Sequence, residues 1–207
     1  MTDYVLVGGG AFAREILGWF TPVLPVGDRF AGYLDDGDAP LRGAGYDLPQ
    51  LGPIAGHKPD PSQRLVMALT DPAGKKAVAE KLLAAGGEFA TLIHPRAWVT
   101  STARIGKGVV IALFADVSAD ATVGDFATVN GYSSVGHDAV LGAYGTLSGY
   151  VDLTGYVKVG AGCFFGTGAR VLPRVTIGEG CTVGAGAVVV RTVAANSTVY
   201  AAPARKL

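Results

Sequence analysis

Residues 94–189 read, in groups of six, HPRAWV TSTARI GKGVVI ALFADV SADATV GDFATV NGYSSV GHDAVL GAYGTL SGYVDL TGYVKV GAGCFF GTGARV LPRVTI GEGCTV GAGAVV. Every sixth residue from Ile93 to Val189 is Ile, Val, Leu or Phe, and the residue two places earlier is small or β-branched. A fixed period without insertions indicates a repeat architecture. A period of six fits neither an α-helix nor a plain two-residue alternation. It predicts a parallel β-helix of short strands and turns, with the large apolar residue always pointing inward.

The composition excludes several classes of protein. The chain has 207 residues, a formal net charge of zero and only 16% charged residues, so nucleic-acid binding has no electrostatic support. No apolar run approaches the roughly 18–20 residues of a membrane span. The N-terminus MTDYVLVGGG lacks the pattern of a secretory signal. We therefore expect a cytoplasmic protein with no membrane span and no nucleic-acid partner.

The first 90 residues have a different pattern. YVLVG at 4–8, RFAGYLDD at 29–36 and RLVMAL at 64–69 read as three strands, joined by a helix after Gly10, a Gly/Pro-rich connection and a helix after Pro72. Alternating strands and helices predict a small parallel, Rossmann-like α/β domain over residues 1–90. Residues 191–207 leave the repeat, and we expect them to cap the last coil.

A glycine turn follows the first strand, at Gly8, Gly9, Gly10 and Ala11. Such a turn can present backbone N–H groups to a phosphate, or it can simply be a tight turn that needs small residues. Asp35 and Asp36 end the second strand, where their carboxylates could accept hydrogen bonds from a ribose or a base. NAD and a nucleotide-linked sugar are both candidate ligands, and a sheet of only three strands favours the smaller one.

The small α/β domain, the hexads, the stretch NGYSSVGHD at 130–138 and the ending APAR at 202–205 together resemble one family. It comprises bacterial sugar O- and N-acetyltransferases, including sialic acid O-acetyltransferases and nucleotide 4-amino-sugar N-acetyltransferases. The resemblance implies a left-handed β-helix over residues 91–190, with three hexads in each coil. It also implies a homotrimer, a sugar held by residues 1–90, and acetyl-CoA in a groove between neighbouring β-helices.

The resemblance also assigns catalytic positions. His137 matches the general base of the family, Asp138 the acidic residue beside it, and Asn130 a polar residue at the same site. Gly155 follows His137 by 18 residues, which is one coil, and matches a glycine whose N–H points at the thioester carbonyl. A near-neutral ordinary pKa suits histidine to take a proton from an attacking amine or hydroxyl. Asp138 can assist only if the backbone turns a corner between the two residues.

Further positions correspond to the cofactor groove. Thr167, Ala185 and Arg205 match residues along acetyl-CoA, and Thr146 occupies a position where the family often has a second histidine. Thr146 can hydrogen-bond but cannot titrate, so we expect a changed contact with the cofactor or acceptor there. The glycine turn also departs from the family, because Phe12 stands where a histidine is frequent.

These observations predict acetyl transfer from acetyl-CoA to a sugar, with the amino group of a nucleotide-linked 4-amino-4,6-dideoxysugar as the leading acceptor. An O-acetyltransferase acting on sialic acid or another sugar is one alternative, and a non-catalytic, nucleotide-binding trimeric scaffold is another. We expect no metal, because only His137 lies well inside the coils. His57 is predicted to be a loop residue that could touch the acceptor, and His94 to be structural. Cys163 and Cys181 are predicted to be small core residues.

Overall fold

The computed structural model describes residues 1–38, 41 and 45–202. Its first part is a four-stranded parallel sheet in the order β3-β2-β1-β4. The elements are β1 Asp3–Val7, α1 Ala11–Phe20, a 3₁₀ turn Thr21–Val23, β2 Arg29–Leu34, β3 Gln50–Gly52, β4 Gln63–Met67 and α2 Pro72–Ala84. The prediction of three strands was therefore one strand short. The additional strand, β3, has three residues and pairs only with the edge of β2, which is too little for a periodic signal.

The two helices cover opposite sides of this sheet. α1 buries Phe12, Ile16 and Phe20 in a core that also contains Leu6 and Val66. The alternate residues of the same strands, with Val5 and Val7 among them, pack with α2 through Leu82. Successive residues of a strand point to opposite faces, so both faces of this sheet are apolar and both are covered.

The sequence accounts for both ends of α2. Asp71 precedes the helix, and its carboxylate accepts a hydrogen bond from the Gly74 N–H at 2.6 Å. Pro72 occupies the first turn, where a missing N–H is harmless. Gly86 follows the last turn with a φ of +88°, the left-handed conformation that commonly ends helices.

The second part is a left-handed parallel β-helix whose strands are two residues long. Its three flat sides are here called faces 1, 2 and 3, and they have seven, six and five strands. Face 1 contains β5 Leu92–Ile93, β8 Val110–Ile111, β11 Thr128–Val129, β14 Thr146–Leu147, β17 Phe164–Phe165, β20 Thr182–Val183 and β22 Thr198–Val199. Face 2 contains β6 Trp98–Val99, β9 Asp116–Val117, β12 Ser134–Val135, β15 Asp152–Leu153, β18 Arg170–Val171 and β21 Val188–Val189. Face 3 contains β7 Arg104–Ile105, β10 Thr122–Val123, β13 Val140–Leu141, β16 Lys158–Val159 and β19 Thr176–Ile177.

The register follows the repeat. Thr128 pairs with Val110 on one side and with Thr146 on the other, so residues 18 apart are neighbours. The sixth residues form one continuous core with the small residues two places earlier, including the buried free thiols of Cys163 and Cys181. The first of them, Ile93, is an exception, since 41% of it is exposed. Ile93 pairs with Ile111 in the common register, and it is exposed because β5 is the end strand of face 1 and no further coil covers it.

Each coil turns three corners. The first corner joins faces 1 and 2, the second joins faces 2 and 3, and the third joins faces 3 and 1. Many residues at these corners have a left-handed φ near +60°, including Tyr132 and Asp138. Glycine often begins a corner because adjacent coils are close there. At Gly136, for example, a β-carbon would lie 2.8 Å from the Leu153 carbonyl oxygen of the next coil.

The β-helix extends beyond the regular repeat. Thr198 pairs with Thr182, a spacing of sixteen residues instead of eighteen, and Val193 forms a bridge with Ile177. A last coil shortened by two residues thus covers the end of the core. This coil lies within the segment that the sequence predicts to be a cap.

The N-terminal part lies on face 1 and the third corner. Lys75 of α2 is fully buried, and its Nζ donates hydrogen bonds to Thr128 Oγ1 at 3.2 Å and to the Gly145 carbonyl at 3.0 Å. Thr146 Oγ1 donates to the Thr70 carbonyl at 2.7 Å. Burial lowers the pKa of Lys75 to about 7, and nearby Asp71 opposes this shift. Within the described ranges, no helix is long and apolar enough to cross a bilayer.

Candidate active site

The second corner carries the predicted base. His137 follows strand β12, and its Nδ1 lies 3.0 Å from Asp138 Oδ2. Adjacent side chains on a strand point in opposite directions, but Asp138 has a φ of 59°, which turns its carboxylate toward the imidazole. Both side chains remain accessible, and 57% of the His137 side chain is exposed. The left-handed residue provides the corner that this pairing requires.

Gly155 lies against the His137 ring, one coil further along the same corner. A β-carbon on Gly155 would lie 2.6 Å from the imidazole Cε1 and would also overlap Nε2. The Gly155 carbonyl accepts a hydrogen bond from the Arg174 N–H at 3.1 Å, whereas its own N–H has no acceptor among the described residues. The corner therefore combines an imidazole with an unused backbone donor.

Two residues of this corner are absent from the sequence prediction. The Tyr156 ring is perpendicular to the His137 ring, with 5.0 Å between centroids, and the Arg174 guanidinium carbon lies 4.9 Å from the Tyr156 centroid. Both residues could have been predicted from the 18-residue spacing of the coils, because Tyr156 follows Asp138 by one coil and Arg174 follows it by two.

The N-terminal part, which contains the glycine turn, packs on the side of the β-helix opposite this corner. The second corner is the one that face 1 does not touch, and the N-terminal part packs on face 1. The prism of the β-helix therefore separates His137 from Gly8–Ala11 of the same chain.

The glycine turn is stabilised mainly by the protein itself. Gly8 has a φ of +106°, and a β-carbon there would lie 2.8 Å from the Leu69 side chain. The Gly9 N–H donates to Asp35 Oδ2 at 2.7 Å, so it is not free for a phosphate. Gly10 and Ala11 at the start of α1 are exposed and have no side-chain cap. Of the four predicted residues, these two leave backbone N–H groups open to a ligand.

The two aspartates after β2 have different surroundings. Asp35 accepts hydrogen bonds from Gly9 N–H and from Gly37 N–H, the latter also at 2.7 Å, and so fixes two turns. This internal role differs from the predicted contact with a ribose. Asp36 is exposed and accepts one hydrogen bond, from Ala55 N–H at 3.1 Å.

The other predicted residues are distributed over the first corner and face 1. Asn130 begins the first corner, one face away from His137, and its buried Oδ1 has no partner in the described structure. Thr167 and Ala185 lie on that corner in adjacent coils, where the Gly186 N–H donates to the Thr167 carbonyl at 2.9 Å. The chain alone therefore does not bring Asn130, Thr167 or Ala185 to His137.

Thr146 and Arg205 are the other residues that were predicted to contact the cofactor. Only 1% of Thr146 is exposed, and its hydroxyl donates to Thr70, so the side chain is engaged within the chain and its contact with a bound cofactor stays a prediction. The reason is that its face is covered by the N-terminal part. Arg205 lies outside the described residues. Phe12, which departs from the polar family pattern, is buried in the α1 core rather than facing a ligand.

A cleft separates the start of α2 from face 1. It has a volume of about 550 Å³ and is lined by Thr70, Asp71, Pro72, Ala73, Gly162, Phe164, Gly180 and Thr182. A second cavity of about 360 Å³ shares four of these residues, Pro72, Ala73, Gly162 and Gly180, and adds Lys76, Tyr144, Ala161, Glu179 and Asn196.

The remaining histidines are not ligands of a described metal site. His94 is buried, its Nδ1 accepts the Arg96 N–H at 3.0 Å, and burial lowers its pKa, in agreement with a structural role. His57 lies in the loop after β3, where burial also lowers its pKa and Nε2 has no partner in the described structure. In the described part of the chain, no three His, Cys, Asp or Glu side chains are grouped to hold a metal ion.

Comparison with known proteins gives consistent results. The family model described as bacterial transferase hexapeptide (six repeats) matches residues 156–191. A variant of the perosamine N-acetyltransferase from Caulobacter crescentus, in complex with CoA and GDP-perosamine, is 31% identical, with 99% of this chain and 96% of that chain covered and a TM-score of 0.87. No curated protein sequence gives a match.

Two further solved structures are similar over their whole length. The acetyltransferase domain of PglB from Neisseria gonorrhoeae, in complex with acetyl coenzyme A, is 29% identical, with 99% of this chain and 98% of that chain covered and a TM-score of 0.87. WeeI from Acinetobacter baumannii is 26% identical, with 100% of both chains covered and a TM-score of 0.83.

Proposed function

We propose that the acceptor of this chain is the amino group of a nucleotide-linked 4-amino-4,6-dideoxysugar. The chain belongs to the sugar acetyltransferases built on a left-handed β-helix of hexapeptide repeats. It is an acyl-CoA-dependent acetyltransferase with acetyl-CoA as co-substrate. The choice of acceptor is supported by the similarity to a protein in complex with GDP-perosamine over almost the entire length of both chains.

The observation that carries the mechanism is the His137 corner. His137 Nδ1 faces the Asp138 carboxylate, and Nε2 is on the side of Gly155. In the tautomer that this partner favours, Nδ1–H donates to the carboxylate and Nε2 keeps its lone pair. His137 is then oriented to accept a proton through Nε2.

The reaction follows from these groups. The unprotonated sugar amine attacks the thioester carbonyl carbon, and its proton passes to His137 Nε2 as the C–N bond forms. The Gly155 N–H donates to the oxyanion that develops on the carbonyl oxygen. When the C–S bond breaks, CoA leaves as the thiolate and the imidazolium returns a proton to it. The products are the N-acetylated sugar and CoA.

The position of the corner supports a shared active site. A sugar held by Gly10 and Ala11 of one chain is separated from His137 of the same chain by the prism, but it can face His137 of a neighbouring copy. We therefore propose the homotrimer that the family resemblance implies.

Several further residues are suited to bind the acceptor and the cofactor. The open start of α1 and the exposed Asp36 are suited to the nucleotide of the acceptor, because a helix N-terminus favours phosphate and a carboxylate accepts from hydroxyl groups. For acetyl-CoA, the first-corner positions Thr167 and Ala185 retain the role implied by the family. The orphaned Asn130 oxygen is a further acceptor for a polar ligand group.

The test is a direct assay with full-length protein. Acetyl-CoA is incubated with a GDP-, UDP- or dTDP-linked 4-amino-4,6-dideoxysugar, with the matching 4-hydroxy sugars and with free sialic acid. Thiol release is followed, and mass spectrometry locates the acetyl group. We expect release only with the 4-amino compounds and a loss of at least about 100-fold in kcat for His137→Gln, in the range found for general bases.

Other results would change the assignment. Acetylation of hydroxyl groups would replace the proposal with an O-acetyltransferase. Nucleotide binding without affinity for CoA would replace it with a scaffold. Full turnover by His137→Gln would remove the histidine from its role as base while leaving the activity in place.

A further inference from the structure

Tyr156 is the only described aromatic ring in contact with the His137 imidazole. The two rings are perpendicular, with centroids 5.0 Å apart. On Tyr156 itself, the Arg174 guanidinium carbon lies 4.9 Å from the ring centroid. The second corner therefore holds a continuous contact from Arg174 through Tyr156 to His137, over three successive coils.

This contact differs from the other aromatic corners of the chain. At the first corner the ring of Tyr132 stacks on Tyr150, and at the third corner Phe126 stacks on Tyr144. Those tyrosines contact phenylalanine or tyrosine rings of an adjacent coil. Tyr156 instead lies between an imidazole and a guanidinium, so its contacts are with functional groups.

We propose that Tyr156 is a positioning residue that holds the His137 imidazole over Gly155, and that Arg174 fixes the Tyr156 ring in turn. This inference rests on the proposed function, in which His137 is the base. It assigns to Tyr156 no contact with substrate and no proton transfer.

His137 requires a positioning contact because its side chain is largely exposed. A side chain with 57% of its surface exposed has few contacts to restrict its rotamers. Asp138 fixes Nδ1, and Gly155 sets the distance of closest approach from one side. Tyr156 provides the remaining lateral contact, and perpendicular aromatic pairs are favourable beyond their buried area.

The backbone makes the arrangement rigid. The Tyr156 N–H donates to the His137 carbonyl at 3.0 Å, and the Arg174 N–H donates to the Gly155 carbonyl at 3.1 Å. Tyr156 has a φ of 63°, a conformation that bulky residues rarely adopt. The other aromatic corner residues share this backbone conformation, so what distinguishes Tyr156 is the Arg174 guanidinium packed on its ring in a cation–π contact.

The test uses four variants of the full chain in addition to His137→Gln. Tyr156→Ala removes the ring, Tyr156→Phe keeps the ring and removes the hydroxyl, and Arg174→Met removes the cation. Phe114→Ala is the matched control, because Phe114 is 43% exposed against 44% for Tyr156 and also has a left-handed φ, but lies on the first corner. Tyr156→Leu replaces the alanine variant if the latter does not fold.

Two readouts separate positioning from stability. The first is the split between kcat and KM with acetyl-CoA and the best acceptor. The second is proton NMR of the imidazole resonances, which are few because the chain has three histidines. The His137→Gln variant assigns the His137 signals by their absence, and a ring-current shift reports contact with Tyr156 without requiring turnover.

We expect Tyr156→Ala to lower kcat by about 2- to 10-fold, the range for one aromatic pair, with both KM values unchanged. Its His137 resonances should move, whereas Tyr156→Phe should retain the wild-type kcat and spectrum. Arg174→Met should show the same changes at about 2-fold. Phe114→Ala should alter neither the His137 resonances nor kcat.

Unchanged His137 resonances in Tyr156→Ala would overturn the proposal, as would equal damage by Tyr156→Phe. If wild-type protein acetylates no acceptor, the proposed function fails and the NMR result still decides the Tyr156 contact. If His137→Gln is fully active while the ring-current shift is present, the contact stands but has no catalytic purpose, and the proposal fails.

Discussion

The His137 imidazole lies so close to Gly155 that a single methyl group on the glycine would overlap the ring. The two residues are one coil apart at the same corner, and the Gly155 N–H has no acceptor in the described structure. The missing side chain therefore has two consequences. It admits the imidazole, and it leaves a backbone donor accessible beside the position where the reacting carbonyl is proposed to bind.

Gly155→Ala should reduce kcat/KM by about 100-fold, because a displacement of about 1 Å is sufficient for such a loss. The added β-carbon would push the His137 ring away from the corner, and it can be accommodated only by rotation of that exposed ring. Thermal unfolding should change little, since the imidazole is not part of the core. Steady-state kinetics and a melting curve measure the two effects.

Gly149→Ala is the matched control. It is the corresponding glycine on the first corner, where a β-carbon would meet only the Gly131 carbonyl oxygen at an ordinary 3.5 Å. Equal losses in the two variants would mean that alanine disturbs corners in general rather than the His137 ring.

Asp138→Asn should lower kcat by about 10- to 100-fold, less than for a buried triad carboxylate because the pair is exposed. Asparagine retains the size of the side chain and tolerates a left-handed backbone, so the corner should persist. It removes the charge that stabilises the imidazolium as the proton is transferred. Asp120→Asn, one coil earlier in the same row and also at a φ near 59°, should be close to wild type. A fully active Asp138→Asn would restrict the carboxylate to a structural role.

Lys75 should make stability depend on pH above neutrality. Its pKa is about 7 in the folded chain, whereas an unfolded lysine titrates near 10.5. Below pH 7 both states are protonated and the group has no effect on the slope. Between about pH 7 and 10.5 the unfolded state binds more protons, so the free energy of unfolding should rise with pH, by up to about 1.4 kcal/mol per unit.

Lys75→Met isolates this effect. Urea-unfolding midpoints measured at pH 6, 7.5 and 9 should rise more steeply for wild type than for the variant, because methionine has no proton to lose. The difference between the two proteins cancels the titration of other groups. Parallel curves would show that Lys75 stays protonated through its hydrogen bonds to Thr128 and Gly145.

Thr146→Val should lower the free energy of unfolding by about 1–2 kcal/mol, since the Thr70 carbonyl loses its donor in a buried contact. Thr176→Val, on face 3 and exposed, should have little effect. Denaturant titration measures both. An increased KM for acetyl-CoA with unchanged stability would instead support the cofactor role suggested by the family resemblance.

The β-helix could be predicted from the sequence because every coil repeats the same six-residue pattern three times. Each inward position must be apolar, and each close approach of two coils requires glycine or another small residue, so the pattern reports local geometry directly. The same register brought His137 to Gly155 and contained Tyr156 and Arg174 as well. Strand β3 escaped prediction because three residues at a sheet edge have no period.

The sequence by itself determined the core and the stacking of residues 18 apart, whereas the left-handed backbone of Asp138 decided that its carboxylate meets the His137 imidazole. Tertiary structure decided which face of the prism the N-terminal part covers. In that contact, Lys75 binds Gly145 and Thr146 binds Thr70, and the partners are at least 70 residues apart in the sequence. A local sequence pattern cannot predict contacts at this separation. It buries Thr146, and it sets the glycine turn on the side of the prism away from His137. The physical reason is that repeats encode contacts between neighbouring coils, whereas docking depends on surfaces that exist only after both parts have folded.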